Sequence, residues 1–373
     1  MRRQRKRFVN PYQAYRGKSR AGKTLLVLAG SILAILAVLL LAAGLIFRRE
    51  LSIASTVKQI NFTRPAYFME VTGDYHFQEF LEKGGASSDG EVSAFLSKKI
   101  AKGLAGVPVE AHGTGCSALS AKSTDGEHFW GRNYDWTGSV PIILRHVPKE
   151  GYASLSTCDF QNITGNPEVL PEGMANRMLA IAALYVPLDG VNAAGLCVAD
   201  LQVNEGGMPD PDTEKPDLTV TTAIRLLLDK AATVDEALAL LEQYDLHASA
   251  GMMVHFAIAD TSGRSVAVEY VNNEMSVVET PIVTNFYLTP GEKYGIGTEE
   301  SHRRYEILTE ALADHPSMTA EKVRDAMDSV SKHNFDSVFA STEWSIVFNQ
   351  TSGEARYYHR ENFENVYVFR VGR

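Results

Sequence analysis

Cysteine is scarce in this chain, with three in 373 residues. That is too few, and the wrong parity, for a disulfide framework, so at least one free thiol is expected. The ten histidines show no recognisable ligand spacing, and no metal or cofactor site is expected. His112, His128 and His146 are the nearest partners for a papain-like Cys–His pair. None carries a motif, and the Gly115-Cys116-Ser117 context matches no cysteine-protease signature. Acidic residues are missing from the first 23 positions, which hold nine Lys/Arg. The rest of the chain therefore sets 27 basic against 45 acidic residues, a balance that argues against a nucleic-acid partner. There is no internal repeat.

Charge of either sign is missing from Thr24 to Phe47, a run of 24 residues. At about 1.5 Å per residue this spans about 36 Å, more than a bilayer core of about 30 Å. A cleaved signal peptide is the competing reading, but its apolar region is usually about 7–15 residues long. No small-residue cleavage site follows Phe47. The run reads as an anchor in the lipid bilayer, residues 24–47, behind a basic cytoplasmic tail, residues 1–23. The basic flank outweighs Arg48 and Arg49, which places the amino terminus in the cytoplasm and the body outside the cell membrane.

Residues 48–115 read as a linker with some structure of its own. Ser87-Ser88-Asp89 caps a helix through Glu91, Phe95, Leu96 and Ile100, and a glycine-rich loop over 103–115 follows. From Cys116 the pattern changes to short strands. Ser117–Ser123 and Phe129–Tyr134 flank Thr124-Asp125-Gly126, where Asp-Gly signals a hairpin turn. Strands are expected at Met178–Tyr185, Gly195–Val203, Val254–Asp260, Ser265–Tyr270, Met275–Glu279 and Ile282–Asn285. Helices are expected at Thr219–Lys230, Thr233–Gln243, Glu300–Leu312 and Thr319–Ser331, with closing hairpins at Ser345–Phe348, Ala355–His359 and Val366–Val371. That order suits a layered α+β domain. Cys197 lies in a run read as a buried strand, where cysteine serves as a small apolar residue; Cys158 carries no signal, and a Cys158–Cys197 bridge stays open.

The chemistry concentrates at Cys116. Arg132 lies sixteen residues on and Asp135 nineteen, within Gly131-Arg132-Asn133-Tyr134-Asp135. A thiol, a fixed cation and a carboxylate joined by one hairpin are the parts of an N-terminal nucleophile amidase. In such an enzyme the chain is cut before the cysteine and the new amine serves as base. With Asp189-Gly190-Val191-Asn192-Ala193-Ala194-Gly195-Leu196 and Val283-Thr284-Asn285, these segments resemble the choloylglycine hydrolase and penicillin V acylase family. The stretch Ala259–Ser265 with Glu269 and the hairpin Gly353–Tyr358 support the resemblance, which runs in order over residues 116–373.

The resemblance implies a four-layer αββα N-terminal nucleophile hydrolase fold over 116–373, with 48–115 as linker and pro-segment. It also implies hydrolysis of a small-molecule N-acyl amide without a cofactor. Cys116 corresponds to the nucleophile, Arg132 to the cation beside its sulfur, and Asp135 to the carboxylate that orients the α-amine. Asn285 corresponds to the oxyanion donor, Gln202 stands where the family has a second asparagine, and Arg304, rather than Arg303, matches the late active-site arginine. The leader before Cys116 resembles that of the self-processing acid ceramidase and acyltransferase relatives, which implies a cut between Gly115 and Cys116. Arg303 follows Asn285 by eighteen positions, too few for the assembly loop of the bile-salt hydrolases. Acyl transfer to an amine and a catalytically silent binding module are the alternatives.

Overall fold

A computed structural model describes residues 11–109, 115–203, 208–249, 251–335, 339–360 and 362–372. His112 and the residues next to Gly115 on its N-terminal side lie outside that set. The chain divides into a unit ending at Ser52 and a unit Ile53–Arg373. In the first, the helix Pro11–Ile46 contains the stretch Lys23–Ile46, none of it buried in protein. It is long and apolar enough to cross a membrane, a test that an N-terminal signal sequence also passes.

The second unit is built on two sheets. One has nine strands, in the order Lys58–Asn61, Ala66–Thr72, Pro141–Val147, Ser154–Asp159, Asp189–Asn192, Cys197–Gln202, Val254–Ala259, Ser265–Val271 and Glu274–Glu279. The other has six, in the order Ile282–Val283, Gly115–Lys122, His128–Trp136, Ser341–Asn349, Glu354–His359 and Asn362–Arg370. Side chains alternate across a strand, so a sheet buried on both faces needs apolar residues at odd and even positions alike. The strand Gly115–Lys122 meets that demand. Cys116 and Ala118 join a core shared with the nine-stranded sheet, through Leu155, Ala199 and Ala257. Leu119 and Ala121 face Leu308, Val323 and Met327 of the helices Glu299–Asp314 and Ala320–Ser329. A third core covers the far face of the nine-stranded sheet with the helices Val220–Lys230 and Val234–Leu241. The layers thus run helix, sheet, sheet, helix.

Two stretches differ from the sequence expectation. Met178–Tyr185 is not a strand: a helix Gly173–Leu179 runs into a 3-10 turn Ala180–Leu184. Every residue from Ala180 to Leu184 is fully buried, so no polar face reveals the period, and a short apolar run is compatible with either element. The segment read as linker is, from Ile53, built into the domain. Ala66–Thr72 pairs in parallel with Pro141–Val147, while Phe77, Phe80, Val92 and Leu96 are buried in the core. The expected cap is present, with Ser88 accepting from the Glu91 amide at the start of the helix Asp89–Lys99. Cys158 and Cys197 are free thiols, buried in cores on opposite faces of the nine-stranded sheet, which rules out a bridge between them.

Candidate active site

The hairpin does the first positioning. Gly126 sits at φ 87°, a conformation glycine adopts without the Cβ clash, and its amide bonds Ser123 O at 3.1 Å. The two strands then pair in register, Gly115 with Asp135, Cys116 with Tyr134 and Ala118 with Arg132. Pleating follows from that register. Cys116 and Arg132 project between the sheets, whereas Gly115 and Asp135 face the helices Glu299–Asp314 and Ala320–Ser329.

Between the sheets, Arg132 Nη2 lies 3.5 Å from Cys116 Sγ. The guanidinium is fully buried and held by two carboxylates of the opposite sheet, Asp189 Oδ2 at 3.3 Å from Nε and Asp200 Oδ1 at 3.2 Å from Nη2. It also donates to Asp200 O at 2.9 Å, and Trp344 Nε1 donates to Asp189 Oδ2 at 3.1 Å. Cys116 is 3% exposed. Burial pushes its thiol up to about 12; Arg132 pulls it down, and Asp200 and Asp135 push it up again. In the intact chain the sulfur is therefore held as a thiol. Burial likewise lifts Asp200 to about 6, against the pull of Arg132.

On the other face, Arg304 projects from its helix onto the start of the cysteine strand. It donates to Cys116 O, to Ser117 Oγ at 2.7 Å and to Asn285 Oδ1 at 2.7 Å, and Glu300 Oε1 accepts from its Nε at 2.9 Å. Arg304 is buried and Arg303 exposed, as a 100° step between helix neighbours demands. Asn285 Oδ1 also accepts from the Cys116 amide at 2.8 Å. Its Nδ2 donates to Gln202 O at 2.6 Å. Gln202 thus reaches the cluster through its backbone, and its side-chain Oε1 is buried with no hydrogen-bond partner. Asp135 accepts from Thr342 Oγ1 at 2.6 Å and faces Lys332 Nζ at 3.5 Å.

Asn285 is held from behind. Ser301 Oγ accepts from its amide at 2.7 Å, and His255 Nε2 lies 2.6 Å from Thr284 O. His255 Nδ1 lies 2.9 Å from Glu269 Oε1, and Glu269 also accepts from the amides of Leu288 and Thr289 at 2.8 Å each. Burial would raise the Glu269 carboxyl, but His255 and these amides outweigh it and hold the group at about 2. All six residues singled out in the sequence therefore meet at one strand start. The sequence reading missed Asp200, His255 and Glu300 as part of the cluster, and also Lys332, which lies outside it beside Asp135 and Glu300. Asp200 was within reach: it lies two residues from Gln202 on one strand, hence on the same face. Among the described residues, no group of three or more His, Cys, Asp or Glu is placed to hold a metal.

Comparison with known proteins agrees with the geometry. Residues 116–289 match the model of the linear amide C–N hydrolases, choloylglycine hydrolase family. The chain is 31% identical over 164 residues to penicillin V acylase of Pectobacterium atrosepticum, an alignment covering 39% of this chain and 41% of that protein. The chain thus spans about two fifths of the length of that relative. Two crystal structures of variants of the conjugated bile acid hydrolase from Clostridium perfringens superpose with TM-scores of 0.51 and 0.50. Each is 16% identical, and each alignment covers 68% of this chain and 92% of the other. At that identity the likeness shows an α+β fold of the N-terminal nucleophile hydrolase kind. The resemblance to the choloylglycine hydrolase family is thereby shown over residues 116–289, and that family consists of linear amide hydrolases.

Proposed function

We propose that this chain is a self-processing cysteine amidase, anchored in the membrane by residues 24–47, that hydrolyses a linear N-acyl amide through a thioester on Cys116. The observation that carries the reading is the convergence of Cys116, Arg132, Asn285 and Arg304 on one strand start, with the amide of Cys116 aimed at Asn285 Oδ1. Once the bond to Gly115 is broken, that nitrogen becomes an α-amine. Its ordinary pKa of about 7.7–8.0 lets it take the thiol proton near neutrality. The sulfur then attacks the substrate carbonyl while Arg132 steadies its negative charge. Asn285 donates to the tetrahedral oxyanion, the amine returns its proton to the leaving nitrogen, and water clears the thioester. Asp135 and Arg304 keep the new terminus and Asn285 in register.

Self-cleavage is the test. Purified protein should separate under denaturing conditions into residues 1–115 and 116–373, with Cys116 as the new amino terminus, and should hydrolyse a member of a panel of N-acyl amides. The panel would include penicillin V, conjugated bile acids, acyl-homoserine lactones and fatty-acyl amines, with added amines to detect acyl transfer. Cys116→Ala should stay one inactive chain. An intact wild type that hydrolyses amides at full rate would exclude the amine as base. For the anchor, protease added to intact cells should digest the body and spare the first 23 residues; the opposite pattern would reverse the topology.

A further inference from the structure

Gly115 carries the carbonyl of the bond to be cut, and its surroundings are unusually specific. A Cβ at this position would lie 2.8 Å from Lys332 Nζ and 3.0 Å from both Cβ and Oδ2 of Asp135. Lys332 Nζ also lies 3.0 Å from Glu300 Oε2, the carboxylate whose other oxygen holds Arg304. The lysine backbone is fixed: Thr342 N donates to Lys332 O at 2.9 Å, and Lys332 N donates to Thr342 Oγ1 at 2.8 Å. That same hydroxyl donates to Asp135. The Lys332 side chain is 18% exposed, and its ammonium sits on the face of the strand away from the thiol, against Asp135 and Glu300 and not against the groups proposed to touch a substrate amide. The lysine thus lies on the Gly115 side of the strand, away from the sulfur.

We propose that Lys332 is a positioning residue for self-cleavage: it fixes Asp135 against Gly115 and supplies the cation that pairs with the carboxylate the cut creates. The inference rests on the self-processing reading and deepens it. In the first step Cys116 Sγ bonds to the Gly115 carbonyl carbon, the C–N bond breaks, and the thiol proton ends on the departing nitrogen. In the second, water adds to the thioester carbon, the C–S bond breaks, the thiol regains a proton, and Gly115 ends as a carboxylate with the released proton passing to solvent. A new anion then stands beside Asp135, another carboxylate, and an ammonium between them removes the repulsion of like charges. The need for that cation begins as the bond is cut and does not extend to turnover of an external amide.

The experiment follows cleavage and turnover separately in the full chain. Lys332→Met should slow appearance of the 116–373 fragment at least tenfold. Once it has been fully cut, its kcat per titratable thiol should stay within threefold of wild type. Lys332→Arg, which keeps the charge, should cut within threefold of the wild-type rate. Lys332→Met cutting as fast as wild type would overturn the role, as would a folded Lys332→Arg that cuts as slowly as Lys332→Met. A parallel fall in kcat per thiol would place Lys332 in turnover instead. If wild type itself is never cut, the self-processing reading fails and this inference with it; an equally fast Lys332→Met beside a normally cut wild type removes the lysine's role alone.

Discussion

The two faces of the strand Gly115–Lys122 are built differently. Toward the nine-stranded sheet, one cation, Arg132, stands against Asp189 and Asp200 beside a buried thiol. Toward the helices, two cations, Arg304 and Lys332, share Glu300 and grip the peptide backbone at Cys116 and the carboxylate opposite Gly115. The inner face is dry, and burial keeps the sulfur protonated against the pull of Arg132; the outer face has nearly balanced charge and holds a chain segment still. On the function proposed above, this difference is a division of labour, one face governing the thiol of Cys116 and the other the bond that precedes it. Asn285 belongs to both, since its Oδ1 meets the Cys116 amide and Arg304 while its Nδ2 meets the strand bearing Gln202.

That double membership sets the order of expected effects. Asn285→Ala should lower kcat by about 10²–10³, the usual cost of an oxyanion donor, with little change in KM; a change confined to KM would make it a substrate-binding residue. Arg304→Ala should cost roughly tenfold to a hundredfold in kcat/KM, in line with the ~1.5–3 kcal/mol typical of hydrogen bonds to charged groups. Arg303→Ala, on the exposed side of the same helix, should stay within about twofold. Equal losses at both arginines would dissolve the outer-face assignment.

The smallest effect sharpens the inner face. Folding lifts the Asp200 carboxyl from its ordinary value to about 6, so its protonated form is favoured in the folded protein. The stability this contributes is present below about pH 4 and is lost as pH rises through about 6. Asp200→Asn should remove that pH-dependent loss from melting curves, and should move alkylation of Cys116 to lower pH, because Asp200 raises the thiol. Curves that superpose on wild type across this window would show that Asp200 is not the inner face's titrating group.

The sequence made the strand of Cys116 readable because its signals are local. An Asp-Gly turn fixes a hairpin, the hairpin fixes register, and register puts Arg132 on the face of Cys116. The choice of Arg304 over Arg303 came with the family resemblance, to which helix geometry adds only that two neighbours cannot both face the strand. What escaped depends on distant partners. The strand Ala66–Thr72 pairs in parallel with residues 75 positions onward, and no local pattern announces such a pairing. Lys332 approaches Gly115 from a loop more than 200 residues away in sequence. Strand alternation could place Asp200 on the face of Gln202, but its part as counter-charge shows only once Arg132 is known to be buried.

The parallel pairing of Ala66–Thr72 with Pro141–Val147 also decides what a cut at Gly115 would mean for the molecule. The two strands lie on opposite sides of that bond in sequence but are neighbours in one sheet, so the severed pieces would be stitched together along a ladder and a shared apolar core. The cut would then be a nick and not a release. If residues 24–47 hold the first piece in a membrane, as proposed, retention of the Cys116–Arg373 piece would depend on non-covalent cohesion, and concentrated urea, rather than proteolysis alone, would set it free.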